Sequence, residues 1–268
     1  MTPVTVIRGS GPIILGQPHS GTYVPEDIRA DLNTLGQELS DTDWHVPALY
    51  DGLLEGATIV RANFSRYVID ANRDPSGKSL YPGQNTTELV PLTTFDGAPI
   101  WTRPPSAGSI AHRLAAFHQA YHAALEAEVK RVRAEHGIAV LYDCHSIRSC
   151  IPHLFDGDLP DFNIGDNGGT TCHSAITEAV ARVCADAEGY SHVVNGRFKG
   201  GWTTRHYGRP KENIHAIQME LAQRNYLREE VHPFRYDPEQ SAKLREVLRD
   251  VLKAIQHTIN TDLRSLKQ

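Results

Sequence analysis

Short apolar runs alternate with longer stretches whose apolar residues recur every three or four positions, and this alternation constrains the fold more than any other feature. Pro12–Gly16, Ala57–Ala62, Tyr67–Asp70, Ile138–Tyr142, His192–Val194 and Ala216–Leu221 read as strands. They are short and bounded by turn residues, as buried strands are. The spacing predicts a long helix over Ser109–Glu135, where Ile110, Leu114, Phe117, Tyr121, Leu125, Val129 and Val132 form one stripe and Gly137 is the stop. Further helices are expected over Val46–Leu54, Ser174–Ala187 and Pro238–Leu266. Pro75–Pro105 and Ile151–Thr171 are rich in Pro or Gly and read as long loops, the first as a candidate lid. Strands alternating with helices favour a mixed or parallel sheet covered on both faces. In such sheets ligands sit beyond the carboxyl ends of the strands.

The residues at those ends are polar in four places: Pro18–Gly21, Asp70–Arg73, Asp143–Ser146 and Gln218–Leu221. A fifth polar patch, Ser40–His45, precedes a helix. Two imidazoles and one carboxylate make an open zinc site that leaves a position for water, and a separate Glu can move the water's proton. His19 and His145 are the candidate imidazoles, with Asp43 the candidate third ligand and Asp41 and His45 its alternatives. Glu220, a carboxylate inside an apolar strand, is the candidate base, with a buried salt bridge as its competing reading. His118 and His122 stand at i, i+4 and can pinch a metal, but the intervening Glu of the zinc-protease helix motif is missing, so a structural role is expected. A nucleophilic Cys144 beside His145 is disfavoured because adjacent strand residues point to opposite faces. No G-x-S-x-G turn supports Ser20 or Ser146 as a nucleophile.

Composition limits the other classes. The 27 Lys and Arg against 32 Asp and Glu leave a net charge of −5, which argues against nucleic acid as the main partner. The four Cys form no C-x-x-C pair, which fits a reducing cytoplasm better than a disulfide scaffold. No membrane span or secretory leader is expected.

Taken together, Pro18–Gly21 (PHSG), Ser40–His45 (SDTDWH), Ser65–Gly77 (SRYVIDANRDPSG), Leu80–Gln84 (LYPGQ), Leu141–Ser146 (LYDCHS), Phe198–Gly208 (FKGGWTTRHYG) and Ile217–Leu227 (IQMELAQRNYL) resemble the N-formylglutamate amidohydrolase family. The likeness runs from about residue 12 to 227. It implies kinship with zinc carboxypeptidases and aspartoacylase-like deacylases. The fold implied is α/β, a three-layer α/β/α sandwich with a mixed, mostly parallel sheet, in one amidohydrolase domain over residues 1–268. The activity implied is zinc-dependent (or other divalent-metal) hydrolysis of N-formyl-L-glutamate to L-glutamate and formate, in histidine degradation. The alternative is a related hydrolase acting on another N-acyl amino acid or a peptide terminus. The resemblance makes Glu220 the base and Arg66 the oxyanion partner. It assigns Asn72 and Arg73 to a substrate carboxylate, and Arg205 in the Phe198–Gly208 motif is the candidate for the second, since a guanidinium fork suits that task. One departure stands out. Carboxypeptidases carry an early H-x-x-E, whereas His19 is followed by Thr22, so the third ligand must come from Ser40–His45.

Overall fold

In the structure, a computed structural model that describes residues 1–78 and 86–263, seven strands form a mixed sheet. They are β1 (Val4–Ile7), β2 (Ile13–Gln17), β3 (Thr58–Ala62), β4 (Ala139–Ile147), β5 (Phe162–Gly165), β6 (His192–Val194) and β7 (Ile214–Ala222), in the spatial order β1-β3-β2-β4-β7-β5-β6. The central strands β3, β2, β4 and β7 run parallel. At one side β1 pairs antiparallel with β3, and at the other β5 pairs antiparallel with β7 while β6 follows β5 in parallel.

All of β2, β4 and β7 is buried, so their residues read as near-continuous apolar runs rather than as an alternation. Their side chains still alternate between two separate cores. Ile13, Leu15, Val140, Tyr142, Cys144, Ile217 and Met219 face one core, which also holds Leu49 and Tyr50, Ile176 and Val180, and Leu248, Val251 and Leu252 from the helices Val46–Tyr50, Ser174–Asp186 and Pro238–Thr258. Ile14, Leu141 and Ala216 face the other, packed against Tyr121, Leu125, Val129 and Val132 of the helix Gln119–His136. Each fully buried Leu or Val contributes about 1.5–3 kcal/mol of transfer free energy. The result is the expected α/β/α sandwich. Gly137 ends the long helix in the left-handed conformation (φ 73°), which is why a Gly stands there.

Several segments differ from the sequence reading. Tyr67–Asp70 is a turn and not a strand. Its three apolar side chains are buried, but Val68 N–H bonds the carbonyl of Ser65, and Asp70 N–H that of Leu89, so no ladder forms. The expected loop Ile151–Thr171 contains β5, too short and too rich in Asn and Gly to show a period. β4 runs on through Ile147, so Asp143–Ser146 lie within a strand and not after it. The helix Trp202–Tyr207 is hidden behind Gly200 and Gly201, and β1 is a half-exposed edge. The long helical run starts at Ala107 and passes through a π turn at Leu114–His118. The Leu80–Gln84 motif and part of the candidate lid fall outside the described residues. Among those described, no helix is long and apolar enough to cross a membrane.

Candidate metal centre

The carboxyl ends of β2, β4 and β7 bring the polar clusters together. His19 follows β2 by two residues. On β4 and β7, His145 and Glu220 are direct partners in register, as are Asp143 and Gln218. Period-two alternation puts all four on the face that carries Leu141 and Ala216. Cys144 points the other way, into the apolar core, and burial pushes its thiol well up, so the Cys–His nucleophile pair does not exist. Asp43 N–H donates to the His19 carbonyl (3.1 Å), which ties the Ser40–His45 segment to the β2 end.

His19, Asp43 and His145 each offer a ligand atom within 4.8 Å of the others, all buried. Asp43 Oδ2 is 3.2 Å from His145 Nδ1 and 3.8 Å from His19 Nδ1. The opposite nitrogens are held by further buried carboxylates. His19 Nε2 lies 2.6 Å from Asp70 Oδ1, and His145 Nε2 lies 3.2 Å from Asp143 Oδ1. A carboxylate behind an imidazole orients the ring and raises its basicity toward a metal. Ser146 N–H also donates to Asp43 Oδ2 (3.2 Å). This donor set fits a divalent ion bound by two nitrogens and one oxygen. The alternatives do not face it. Asp41 Oδ2 accepts from the Tyr67 hydroxyl (2.8 Å) and Phe95 N–H (2.9 Å), and His45 Nε2 is on the Phe234 carbonyl oxygen (2.8 Å).

The charges around this set are strongly perturbed. Burial and the neighbouring Arg66 push His19 down to about 4. Burial opposes a charge on His145 too, but Asp143, Asp43 and Glu220 outweigh it and hold that imidazole well above its usual range. Burial, with Asp43 adding to it, pushes Glu220 up to about 8 against the pull of His145. Gln218 Nε2 donates to Glu220 Oε2 (3.0 Å), while its Oε1 accepts from Gly201 N–H (2.7 Å). Arg66 is buried against His19 Nδ1, donates to the Asp41 carbonyl (3.2 Å) and lies over the Phe95 ring.

A cavity of about 1040 Å³, counted to its open mouth, meets this centre. His19, Arg66, His145 and Glu220 line it, with Asn72 and Arg73 beside them. Arg73 is pre-oriented, its Nε and Nη2 donating to the carbonyl and hydroxyl of Thr87 (2.9 Å each). Asn72 Oδ1 accepts from Thr203 N–H (2.8 Å), and its Nδ2 lies 3.2 Å from His145 Nε2. Thr86–Leu89 and Phe95 of the candidate lid form part of the wall, with Ile147, Leu154 and Phe198 making an apolar side. Arg205 is not among the described residues that line the cavity, and its Nε donates to the Gly200 carbonyl (3.0 Å). Arg197, which the sequence reading overlooked, lines the cavity instead, with Nε on the Leu154 carbonyl (3.1 Å). Asp143 and Gln218 belong to the polar clusters of the sequence but are given no role there, although two-residue spacing from His145 and Glu220 marks them. Asp70 opens the polar cluster Asp70–Arg73, but the sequence reading gives it no part in the metal site.

Comparison with known proteins adds an independent line. Residues 11–227 match the family model for N-formylglutamate amidohydrolase. An N-formylglutamate deformylase of Pseudomonas aeruginosa is 47% identical over 251 residues, spanning 92% of this chain and 94% of that protein. One from Pseudomonas putida is 45% identical over 251 residues, spanning 92% and 93%. The crystal structure of an N-formylglutamate amidohydrolase from Ralstonia eutropha JMP134 superposes with a TM-score of 0.78 at 27% identity, covering 95% of this chain and 97% of that one.

Proposed function

Because the chain belongs to the N-formylglutamate amidohydrolase family, we propose that it hydrolyses N-formyl-L-glutamate to L-glutamate and formate with a divalent metal, zinc by its donor set, held by His19, Asp43 and His145. The observation that carries this reading is the convergence of two Nδ1 atoms on Asp43, each ring backed by a buried carboxylate, with Glu220 directly across from His145. The whole chain serves as one catalytic unit. The reaction suits the last step of one histidine-degradation route, and four free thiols suit the cytoplasm.

A bound divalent ion supplies positive charge that polarises a carbonyl and lowers the pKa of water to about 7. Glu220 accepts the proton of the attacking water and returns it to the leaving nitrogen. Its burial brings the protonated form within reach near neutral pH, as a group that takes and returns a proton requires. Arg66 keeps its charge because Asp70, Asp43 and Asp41 more than offset its burial. It faces the oxygen on which charge develops. Arg73, with the Asn72 amide beside it, takes the α-carboxylate, and Arg197 takes the role first expected of Arg205 at the side-chain carboxylate. An acidic chain thereby binds a dicarboxylate through a local group of guanidinium ions.

Formate release from N-formyl-L-glutamate by the wild type and by Glu220→Gln tests the reading. The variant is expected to lose about 10²–10⁴-fold in rate at unchanged metal content. No formate from the wild type would reject the substrate, and near-normal activity in the variant would reject the base. The apolar side formed by Phe95, Ile147, Leu154 and Phe198 supports a second reading, in which a bulkier N-acyl group is accepted. A panel of formyl, acetyl and succinyl amino acids separates the two.

A further inference from the structure

Two imidazoles that do not line the cavity hold the loop that carries Asn72 and Arg73. His118 is the last residue of the π turn and His122 lies one helical turn on, their ring centroids 4.5 Å apart. π turns of this kind are frequent near functional sites. His118 Nε2 is 3.0 Å from the Arg73 carbonyl oxygen, and His122 Nε2 is 2.7 Å from that of Ala71. A carbonyl only accepts, so both rings carry a proton on Nε2. The Tyr207 hydroxyl donates to the His122 carbonyl (3.2 Å) and lies 3.1 Å from His122 Nδ1. Tyr207 ends the helix Trp202–Tyr207, whose Thr203 N–H holds Asn72 Oδ1. Trp202 packs against both rings, 5.6 and 4.7 Å between centroids. Asn72 is thus fixed on both sides along the backbone and at its amide, in a segment with no ladder of its own.

We infer that His118 and His122 are positioning residues for substrate binding: by fixing the carbonyls on either side of Asn72 they set how its amide and the Arg73 guanidinium face the cavity. A wall that must bind a carboxylate in one geometry needs such support from behind. The inference rests on the proposed hydrolysis of N-formylglutamate, in which those two side chains take the α-carboxylate.

The test compares His118→Phe/His122→Phe, which keeps ring packing and removes the donors, with His118→Gln/His122→Gln, which keeps a donor. Steady-state constants are measured with N-formyl-L-glutamate, and the α-carboxamide analogue is used as substrate or competitor. Metal content is measured in parallel. The Phe pair is expected to raise KM for the acid about tenfold with kcat changed less than about threefold. Affinity for the carboxamide and metal content should hardly move, and the Gln pair should recover most of the loss. Should the double Phe variant not fold, His118→Phe alone reads the same split. An unchanged KM, or equal weakening for acid and carboxamide, would overturn the inference while leaving the substrate reading intact. An inactive wild type would remove both.

Discussion

His118 and His122 stand one helical turn apart, whereas His19 and His145 come from different strand ends, and only the second pair turns its Nδ1 atoms toward a carboxylate. Both pairs are close in space: the rings of His19 and His145 lie 4.9 Å apart and those of His118 and His122 4.5 Å. What differs is the partner of Nε2. Behind His19 and His145 it is Asp70 and Asp143, with Nδ1 of each ring left on the side of Asp43. Behind His118 and His122 it is a backbone carbonyl, and the rings serve as neutral donors. Imidazole spacing along a helix therefore says little about metal binding, and the atom on the far side of the ring says much more.

The comparison breaks most visibly if the metal ligands are removed. Asp43→Ala and His145→Ala are expected to lose bound metal and drop formate release to background, while the His118 and His122 variants keep full metal content. A smaller effect is expected one step out. Asp70→Asn and Asp143→Asn should weaken metal affinity about 10–100-fold, measured by competition with a chelating dye. Equal affinities in wild type and both variants would remove the distinction between the two pairs.

The contrast can be sharpened at His118 and His122 through acid stability. Burial, reinforced by His118, pushes His122 down to about 3, below its unfolded value. Its contribution to stability is therefore complete above about pH 6.5 and is lost as pH falls toward 3. Between pH 7 and 4.5 the wild type is expected to lose about 2 kcal/mol more than His122→Gln in urea unfolding. Parallel losses would show that the ring is not held neutral. The smallest contrast concerns the two arginines. Arg197→Gln should raise KM for N-formyl-L-glutamate about tenfold, with Arg205→Gln within about twofold. The reverse order would restore Arg205.

Much of the site was legible because polar residues interrupt apolar runs where a parallel sheet exposes its ends. His19, Asp43, His145 and Glu220 all carry that signal, and the structure brings them together. Asp143 and Gln218 follow from strand alternation once β4 and β7 are extended to their full lengths. Asp70 carries the same polar signal on a different backbone. It sits after Tyr67, Val68 and Ile69, whose apolar run reads as a strand, yet the chain turns there so that Asp70 passes beneath His19. Nothing local distinguishes a buried apolar turn from a buried strand. For Arg205 the motif marks a segment, while its Nε is on the Gly200 carbonyl and Arg197 lines the cavity.

The central claim is that His19, Asp43 and His145 hold a catalytic divalent ion. Metal content of the purified chain, set against that of Asp43→Ala prepared identically, tests it most directly. The account predicts one ion per wild-type chain and a large loss in the variant. Full occupancy in Asp43→Ala, or a wild type that binds no divalent ion when one is supplied, would contradict it.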